Sequence, residues 1–244
     1  MPRIEKIRAV VFALAVGLVA MVFAVPSDLS AWPARFGLTR IAGPAPMGPI
    51  AVWAPKKGEP ADGMLTLLHG SQGANTPDPT WLAWMRNQTP FNRWVLIVPS
   101  IPPGVHWTDK KVVASLAALV DLKATQHSIP LNRSYVFGFS AGGSQGIPVV
   151  ATLADRFAGV AVLAGFPSMG SLSVSQRTRL ASRRVLLMCG SRDPSATCAS
   201  ADAAQRSLAK SGITNVARID LAGLGHDCPV GLVGPALATW IGAK

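Results

Sequence analysis

The chain has 244 residues, of which 49% are hydrophobic and only 14% are charged, so it can bury one sizeable core and a single folded domain is expected. Lysine and arginine outnumber acidic residues by 23 to 12, which gives a net charge of +11. These positive charges are scattered rather than gathered in a patch interleaved with aromatic residues, which argues against nucleic-acid binding as the function. The densest run, Arg177, Arg179, Arg183 and Arg184, is expected to be a solvated face.

The N-terminal segment differs from the rest of the chain. Three basic residues precede an unbroken apolar run over residues 9–25, a pattern typical of a targeting segment. The run is slightly long for the core of a signal peptide and slightly short for a membrane-spanning helix, which needs about 20 residues. We therefore interpret residues 1–31 as a signal peptide or an N-terminal membrane anchor with a short linker, and residues 32–244 as one domain. Both interpretations place this domain outside the cytoplasmic membrane, secreted, periplasmic or in the cell envelope, with membrane association through residues 9–25 if the segment is retained.

Apolar runs typical of buried strands alternate with helical stretches along the remaining sequence. The predicted strands are residues 64–68, 134–137, 158–165, 184–190 and 216–220. Residues 109–124 carry apolar side chains at helical spacing, with Thr108 as the expected N-cap. This alternation predicts an α/β fold with a mostly parallel central sheet and helices on both faces.

The segment Gly138–Gly142, with the sequence G-F-S-A-G, directly follows one of these predicted strands. A strand that runs into G-x-S-x-G is the sequence form of a nucleophile elbow, a sharp turn from which the serine hydroxyl projects. Glycines flank the serine because a Cβ at either position would collide with the neighbouring strand or helix. Ser140 is therefore a candidate nucleophile for attack on a carbonyl group.

A serine is a weak nucleophile, so it needs a general base that is itself oriented by a carboxylate. Asp193 comes just after the predicted strand 184–190, and His226 lies on a glycine-rich loop after the strand 216–220. The chain order of serine, aspartate and histidine is the one expected of an α/β-hydrolase. Asp227 is a rival carboxylate, but a residue adjacent to the histidine usually points away from its ring, so Asp193 is preferred.

These motifs give the chain its resemblance to the α/β-hydrolase superfamily. It resembles in particular the small serine esterases of the polyhydroxybutyrate depolymerase, feruloyl esterase and phospholipase/carboxylesterase type. The resemblance is carried by residues 67–70, 131–143, 190–193 and 225–226, and it extends from about residue 50 to the end of the chain. It implies the α/β-hydrolase fold, and the lack of a long insertion predicts no substantial lid. The implied activity is cleavage of small-molecule or polymeric carboxylic esters through an acyl-enzyme on Ser140, without a cofactor.

The same resemblance suggests how the developing oxyanion would be stabilised. This fold places its first donor loop after an early strand, where the present sequence has the pair His69-Gly70. The backbone N–H groups of Ser71 and Ala141 are therefore the expected oxyanion donors, and His69 is expected to orient the turn. Three further residues are candidates for binding an acyl or aromatic group, with packing in the core or in a loop as the alternative. They are Trp81, His106 and Trp107.

The cysteines are compatible with an exported protein. Cys198 follows the Asp193 loop and Cys228 follows His226, so contact between these two loops would bring the two thiols together. We predict a Cys198–Cys228 disulfide, with three free thiols as the alternative, and expect Cys189 to be a buried thiol within its strand. The four histidines lack the ligand spacing of a zinc site, so no catalytic metal is expected.

Two alternative functions remain open at this point. On the same fold the protein would act as a peptidase or an acyltransferase. In a different class, it would be a catalytically silent hydrolase-fold binding protein of the cell envelope. The presence of Ser140, Asp193 and His226 together argues against the silent protein, because such relatives usually lack one member of the set.

Overall fold

The computed structural model describes residues 39–56, 59–71, 79–88, 90–168, 170 and 172–242. The predicted targeting segment, residues 1–31, lies outside these described residues. Within the described ranges, no helix combines the length and the apolar character that crossing a membrane requires.

Eight strands in the described part of the chain form a single sheet in the order β1-β2-β4-β3-β5-β6-β7-β8. The strands are β1 Thr39–Ile41, β2 Ile50–Trp53, β3 Gly63–Leu68, β4 Trp94–Val98, β5 Ser134–Phe139, β6 Gly159–Leu163, β7 Arg184–Gly190 and β8 Val216–Leu221. Strand β2 is antiparallel to both β1 and β4, and all other neighbouring pairs are parallel. The prediction of a mostly parallel central sheet is therefore confirmed.

Helices cover both faces of this sheet, as predicted. They are α1 Pro79–Met85, α2 Lys110–Gln126, α3 Ala141–Thr152, α4 Val174–Leu180, α5 Cys198–Lys210 and α6 Val230–Ile241. Helices α2 to α5 pack on one face, and α1 and α6 pack on the other. The helix predicted over residues 109–124 is α2, whose N-cap is Asp109 rather than Thr108.

The central strands are continuous apolar runs because both of their faces are covered by helices. Strand β3 shows the pattern, since all six of its residues are buried. Met64 and Leu68 pack with the helices of the first face, whereas Leu65 and Leu67 pack with α1 and α6 on the second. Alternation of side chains between the faces therefore distributes one apolar segment over two cores.

The parallel arrangement gathers the candidate functional residues at one edge of the sheet. Strands β3, β5, β7 and β8 run in the same direction, so the loops after them leave the same carboxyl edge. These loops carry Ser71, Ser140, Asp193 and His226, respectively. Open α/β sheets bind their ligands at this edge.

The arginine run does not form a purely solvated face, so that expectation is wrong. The Arg179 guanidinium donates to the carbonyl of Thr152 at the end of α3. The Arg184 guanidinium donates to the carbonyls of Trp240 and Ile241 at the end of α6, and it lies 5.0 Å above the Trp240 ring. The last carbonyls of a helix lack partners within the helix and carry partial negative charge, which explains the use of cations here.

Candidate active site

The Ser140 backbone forms a strained turn between β5 and α3. Its φ of 52° and ψ of −114° lie in a region that residues other than glycine rarely adopt. The turn is held from both sides, because the Ser140 N–H donates to the Leu163 carbonyl at 2.9 Å and its own carbonyl accepts from the Ser144 N–H at 2.9 Å. The surrounding strand and helix therefore fix the orientation of the serine.

The glycines around Ser140 permit close approach of backbone segments. A Cβ at Gly138 would overlap the Gly142 carbonyl, and a Cβ at Gly142 would overlap the Leu68 carbonyl. A Cβ at Gly165 would likewise overlap the carbonyl of Ser140 itself. Because all three obstacles are backbone atoms, none of them can be relieved by a change of side-chain rotamer.

The three side chains selected from the sequence form one hydrogen-bonded chain. The distance between Ser140 Oγ and His226 Nε2 is 3.0 Å, and the distance between His226 Nδ1 and Asp193 Oδ2 is 2.8 Å. Ionised Asp193 can only accept, so the imidazole donates from Nδ1 and leaves Nε2 free to accept the serine proton. This is the arrangement that a general base needs in order to deprotonate a hydroxyl nucleophile.

The Asp193 carboxylate is buried, and hydrogen bonds from protein groups replace the water that it loses. Its other oxygen, Oδ1, accepts hydrogen bonds from the N–H groups of Ser195 at 2.8 Å and Ala196 at 2.9 Å. Burial alone would raise the pKa of this carboxyl, but these two N–H groups and His226 outweigh it, so the pKa of Asp193 lies below its usual value. The carboxyl is therefore ionised at neutral pH.

The rival carboxylate does not contact the His226 Nδ1 atom in this way. The Asp227 side chain accepts a hydrogen bond from the Cys228 N–H at 2.7 Å, one residue further along the chain. The structure thus brings Asp193, rather than its rival, to the imidazole of His226.

His69 is bound within the loop that follows β3. Its Nε2 atom accepts from the Ile101 N–H at 3.2 Å, so its Nδ1 atom is the donor to the Gly70 carbonyl at 2.7 Å. The Trp107 indole donates to the carbonyl of His69 at 3.1 Å. Burial lowers the pKa of His69, against a smaller opposite effect of the bond to Gly70, and the imidazole is neutral as this pattern requires.

The two predicted oxyanion donors border the serine. Gly70 lies against it, since a Cβ there would be 3.1 Å from the Cβ of Ser140. The carbonyl of Gly70 faces His69, so in a trans peptide the N–H of Ser71 points in the opposite direction, away from His69. Ala141 follows Ser140 directly as the first residue of α3.

A cavity of about 450 Å³ opens beside Ser140. Its size lies within the range of small-molecule binding sites in proteins. The polar residues of its wall among those described are His69, Ser71, Ser140, His226 and Asp227. The apolar part of the wall includes three aromatic side chains, Trp81, Phe137 and Phe139. Of the three predicted binding residues, Trp81 is the one that belongs to this wall.

The other two predicted binding residues, His106 and Trp107, lie outside the wall of this cavity. Trp107 is only 1% exposed, and its backbone N–H donates to Gln145 Oε1 at 2.6 Å. It packs edge-on against the His69 ring with the ring centroids 5.0 Å apart. Trp107 is thus a core residue that supports the loop after β3, and the prediction that it binds substrate is wrong.

Several residues of the cavity were not selected from the sequence. Leu67, Val98 and Phe137 lie at or near the carboxyl ends of β3, β4 and β5, and Phe139 is the variable residue before the serine in the elbow motif. The Phe139 ring lies 5.3 Å from the His226 ring, measured between centroids. Phe137 lies two residues before Phe139 on β5, and therefore on the same face of the strand, which was the available signal for it.

The disulfide joins Cys189 to Cys198, so the predicted Cys198–Cys228 bridge and the predicted buried thiol at Cys189 are both wrong. Cys189 lies near the end of β7 and Cys198 begins α5, nine positions further along the sequence. The bridge therefore closes the loop that carries Asp193 onto itself, rather than tying it to the His226 loop. Cys228 lines the cavity instead.

One group of potential metal donors occurs among the described residues. It consists of Cys189, Cys198 and Asp220. The two sulfur atoms are bonded to each other, so they are not available as thiolate ligands in this state.

The topology and the serine elbow together define the α/β-hydrolase fold. The sequence pattern of the Phospholipase/Carboxylesterase family matches residues 108–235, which is more than half of the chain. The protein therefore belongs to this family, whose pattern covers Ser140, Asp193 and His226. Among curated proteins, none matches the chain.

Solved esterase structures share this fold. A thermostable esterase is 18% identical with a TM-score of 0.60, over 76% of this chain and 54% of its own, so the present chain spans about half of its length. Acyl-protein thioesterase 2 from Zea mays is 18% identical with a TM-score of 0.58, over 79% and 99%. Acetyl xylan esterase from Aspergillus awamori is 16% identical with a TM-score of 0.62, over 85% and 99%. At these identities the likeness establishes the fold alone.

Proposed function

We propose that this protein is a serine hydrolase that cleaves carboxylic esters through an acyl-enzyme on Ser140. The observation that carries the proposal is the continuous hydrogen-bonded chain from Ser140 through His226 to buried Asp193. This chain opens onto a cavity whose wall includes leucine, valine and aromatic side chains, which suit the acyl or aromatic part of an ester. Family membership and the esterase neighbours support the same reaction class.

The reaction would begin with attack of Ser140 Oγ on the ester carbonyl carbon while its proton passes to His226 Nε2. Asp193, ionised because its pKa is held low, would stabilise the imidazolium that forms. The backbone N–H groups of Ser71 and Ala141 would meet the negative oxygen of the tetrahedral intermediate. His226 would then protonate the leaving alcohol, and a water molecule activated by the same imidazole would release the acid and regenerate Ser140.

The first test is hydrolysis of a panel of p-nitrophenyl acyl esters and feruloyl esters. We expect Ser140→Ala and His226→Ala to lower kcat by about 10⁴-fold or more, because each removes a group that bonds to the reacting atoms or transfers the proton. Asp193→Asn should cost about 10⁴-fold, since an amide cannot hold the imidazole in the required tautomer. A fluorophosphonate probe should label the wild type and not Ser140→Ala.

The matched control for the acid is Asp227→Asn, which removes the neighbouring carboxylate and leaves Asp193 in place. We expect its loss of kcat to be much smaller than that of Asp193→Asn. Ester hydrolysis that survives in Ser140→Ala would contradict the proposal. Absence of both turnover and probe labelling in folded wild-type protein would favour the silent binding protein, and transfer to an added alcohol or cleavage of amides would favour an acyltransferase or a peptidase.

A further inference from the structure

The inner wall of the cavity is an aromatic stack made by Trp81 and Phe137. Their rings are 5.1 Å apart between centroids and only 17° from parallel. Trp81 belongs to α1 and is 6% exposed, whereas Phe137 belongs to β5 and precedes Ser140 by three residues. The stack therefore connects the helix on one face of the sheet to the strand that carries Ser140.

The polar atom of the Trp81 side chain is already engaged. Its Nε1–H donates to the carbonyl of Cys228 at 3.1 Å, across 147 positions in the sequence. Indole has a single hydrogen-bond donor and no acceptor, so the surface that Trp81 offers to the cavity is apolar. The wall carries no lysine or arginine within the described residues, and its one carboxylate is Asp227. A neutral, apolar group is therefore the substituent that fits beside the indole.

The hydrogen bond from Trp81 reaches the segment that carries the base. Cys228 lies two residues after His226 and two residues before α6 begins at Val230. On the other side of His226, the Leu224 carbonyl accepts from the Arg192 N–H at 2.9 Å, which ties this segment to the Asp193 loop. The His226 segment is thus held on its N-terminal side by the loop that carries Asp193 and on its C-terminal side by the Trp81 indole.

We propose that Trp81 determines substrate specificity and at the same time positions His226, an inference that rests on the proposed esterase function. The substrates are esters with a neutral apolar group, aliphatic or aromatic, long enough to reach the Trp81–Phe137 stack. Such a group packs against the same indole that holds the Cys228 carbonyl, so one side chain serves both roles. Trp81 contacts no reacting atom and acts on the reaction through His226, as a positioning residue.

Two substitutions at this position separate the two roles. Trp81→Phe keeps an aromatic ring against Phe137 and removes the N–H, so we expect kcat to fall about 3- to 10-fold for acetyl and hexanoyl p-nitrophenyl esters alike, with KM nearly unchanged. Trp81→Leu removes both the N–H and the ring. It should show the same loss of kcat and in addition lower the ratio of kcat/KM for hexanoyl over acetyl ester by about tenfold, because apolar contact area is lost.

Trp84→Phe is the matched control, because this second tryptophan of α1 packs against Gly234 of α6 outside the cavity wall. It should keep both kcat and the hexanoyl preference of the wild type. Phe137→Leu removes the other ring of the stack and leaves the indole N–H in place. It should therefore lower the hexanoyl preference without the uniform loss of kcat, which provides a second test if Trp81→Leu does not fold.

Wild-type kcat in Trp81→Phe for both esters would overturn the positioning role. A wild-type hexanoyl preference in both Trp81→Leu and Phe137→Leu would overturn the specificity role. Failure of the esterase function itself is recognised separately, since wild-type protein would then show no turnover that depends on Ser140, whatever residue occupies position 81.

Discussion

At the scale of single residues, the most constrained position is Ser140. Its strained backbone persists because Leu163, Ser144 and Gly165 surround it with hydrogen bonds and close backbone contacts. The hydroxyl therefore does not need to be reoriented before it can donate to His226, with which it is already in hydrogen-bond contact at 3.0 Å. Such preorganisation is a general source of catalytic rate.

The close approach at Gly142 predicts a large effect of a single methyl group. Gly142→Ala should lower the free energy of unfolding by about 3 kcal/mol, because the new Cβ would overlap the backbone carbonyl of Leu68 and could be relieved only by movement of β3 or α3. Urea denaturation measures the change. Gly231→Ala is the matched control, since a Cβ there meets open space in α6, and its stability should equal or exceed that of the wild type. Equal stability of the two variants would contradict the close contact.

The residues of the hydrogen-bonded chain could be selected from the sequence because each depends on a local pattern. The elbow motif, a strand followed by Asp193, and a glycine-rich loop with His226 are all short segments, and the parallel sheet brings their ends together. Trp107 was misassigned because its neighbours, His69 and Gln145, come from distant parts of the chain. Loop residues of this kind are placed by tertiary contacts that a single sequence does not reveal.

At the scale of elements, the acid loop between β7 and α5 is closed by two devices. Asp193 caps the turn through the N–H groups of Ser195 and Ala196, and the Cys189–Cys198 disulfide joins the two ends of the loop. The first device is polar and depends on an ionised carboxylate, whereas the second is covalent. The disulfide thus limits the distance by which Asp193 can move away from His226.

Removal of this disulfide should affect both stability and turnover. The double variant Cys189→Ala/Cys198→Ala should lose about 2.5 kcal/mol of unfolding free energy, the value expected for closure of a loop of this length. Its kcat should also fall, and the Km much less, because the loop positions a group of the hydrogen-bonded chain and lies away from the cavity wall. Cys228→Ser is the control that removes the third thiol without opening the loop. Unchanged stability and kcat in the double variant would show that the loop does not need the bridge.

Strands and helices were easier to predict than the contacts between them. The sequence pattern located five of the six described parallel strands and missed β4. Cysteine pairing depends on how the loop after β7 returns to that strand, which spacing alone does not specify. The arginines were misjudged for a similar reason. Their partners are the carbonyl ends of α3 and α6, which come close only when the sheet is assembled.

At the scale of the whole molecule, protonation of two histidines and one aspartate should lower the free energy of unfolding in acid. Burial lowers the pKa of His69 and of His127, where Lys123 adds to the effect, so the unfolded chain binds these protons more readily than the folded one. Their contribution is complete above the unfolded pKa of about 6.5 and is lost as the pH falls below it. Asp193, with its lowered pKa, adds a further loss in the same direction as the pH falls below about 4.

We therefore expect the free energy of unfolding to decrease as the pH is lowered from 7.5 to 5 and more steeply below pH 4, as measured by urea denaturation at each pH. His69→Gln retains an amide that can donate and accept but does not titrate. Its stability should depend less on pH between 7.5 and 5 than that of the wild type. A free energy of unfolding that increases as the pH is lowered from 7.5 to 5 would contradict this prediction.

The order of the strands also places Ser140 and His226 after strands that differ in local stability. Ser140 follows β5, which lies in the middle of the sheet, whereas His226 follows β8 at the border, and Asp193 follows β7, the strand next to β8. Among the described strands, β8 has one neighbour, and it is only partly buried. Border elements of this kind open at lower free energy than the centre of a fold. Amide hydrogen exchange should accordingly be faster in β8 than in β5. During mild heating, the segment that carries His226 would then unfold reversibly before the turn that carries Ser140, while the middle of the sheet stays folded.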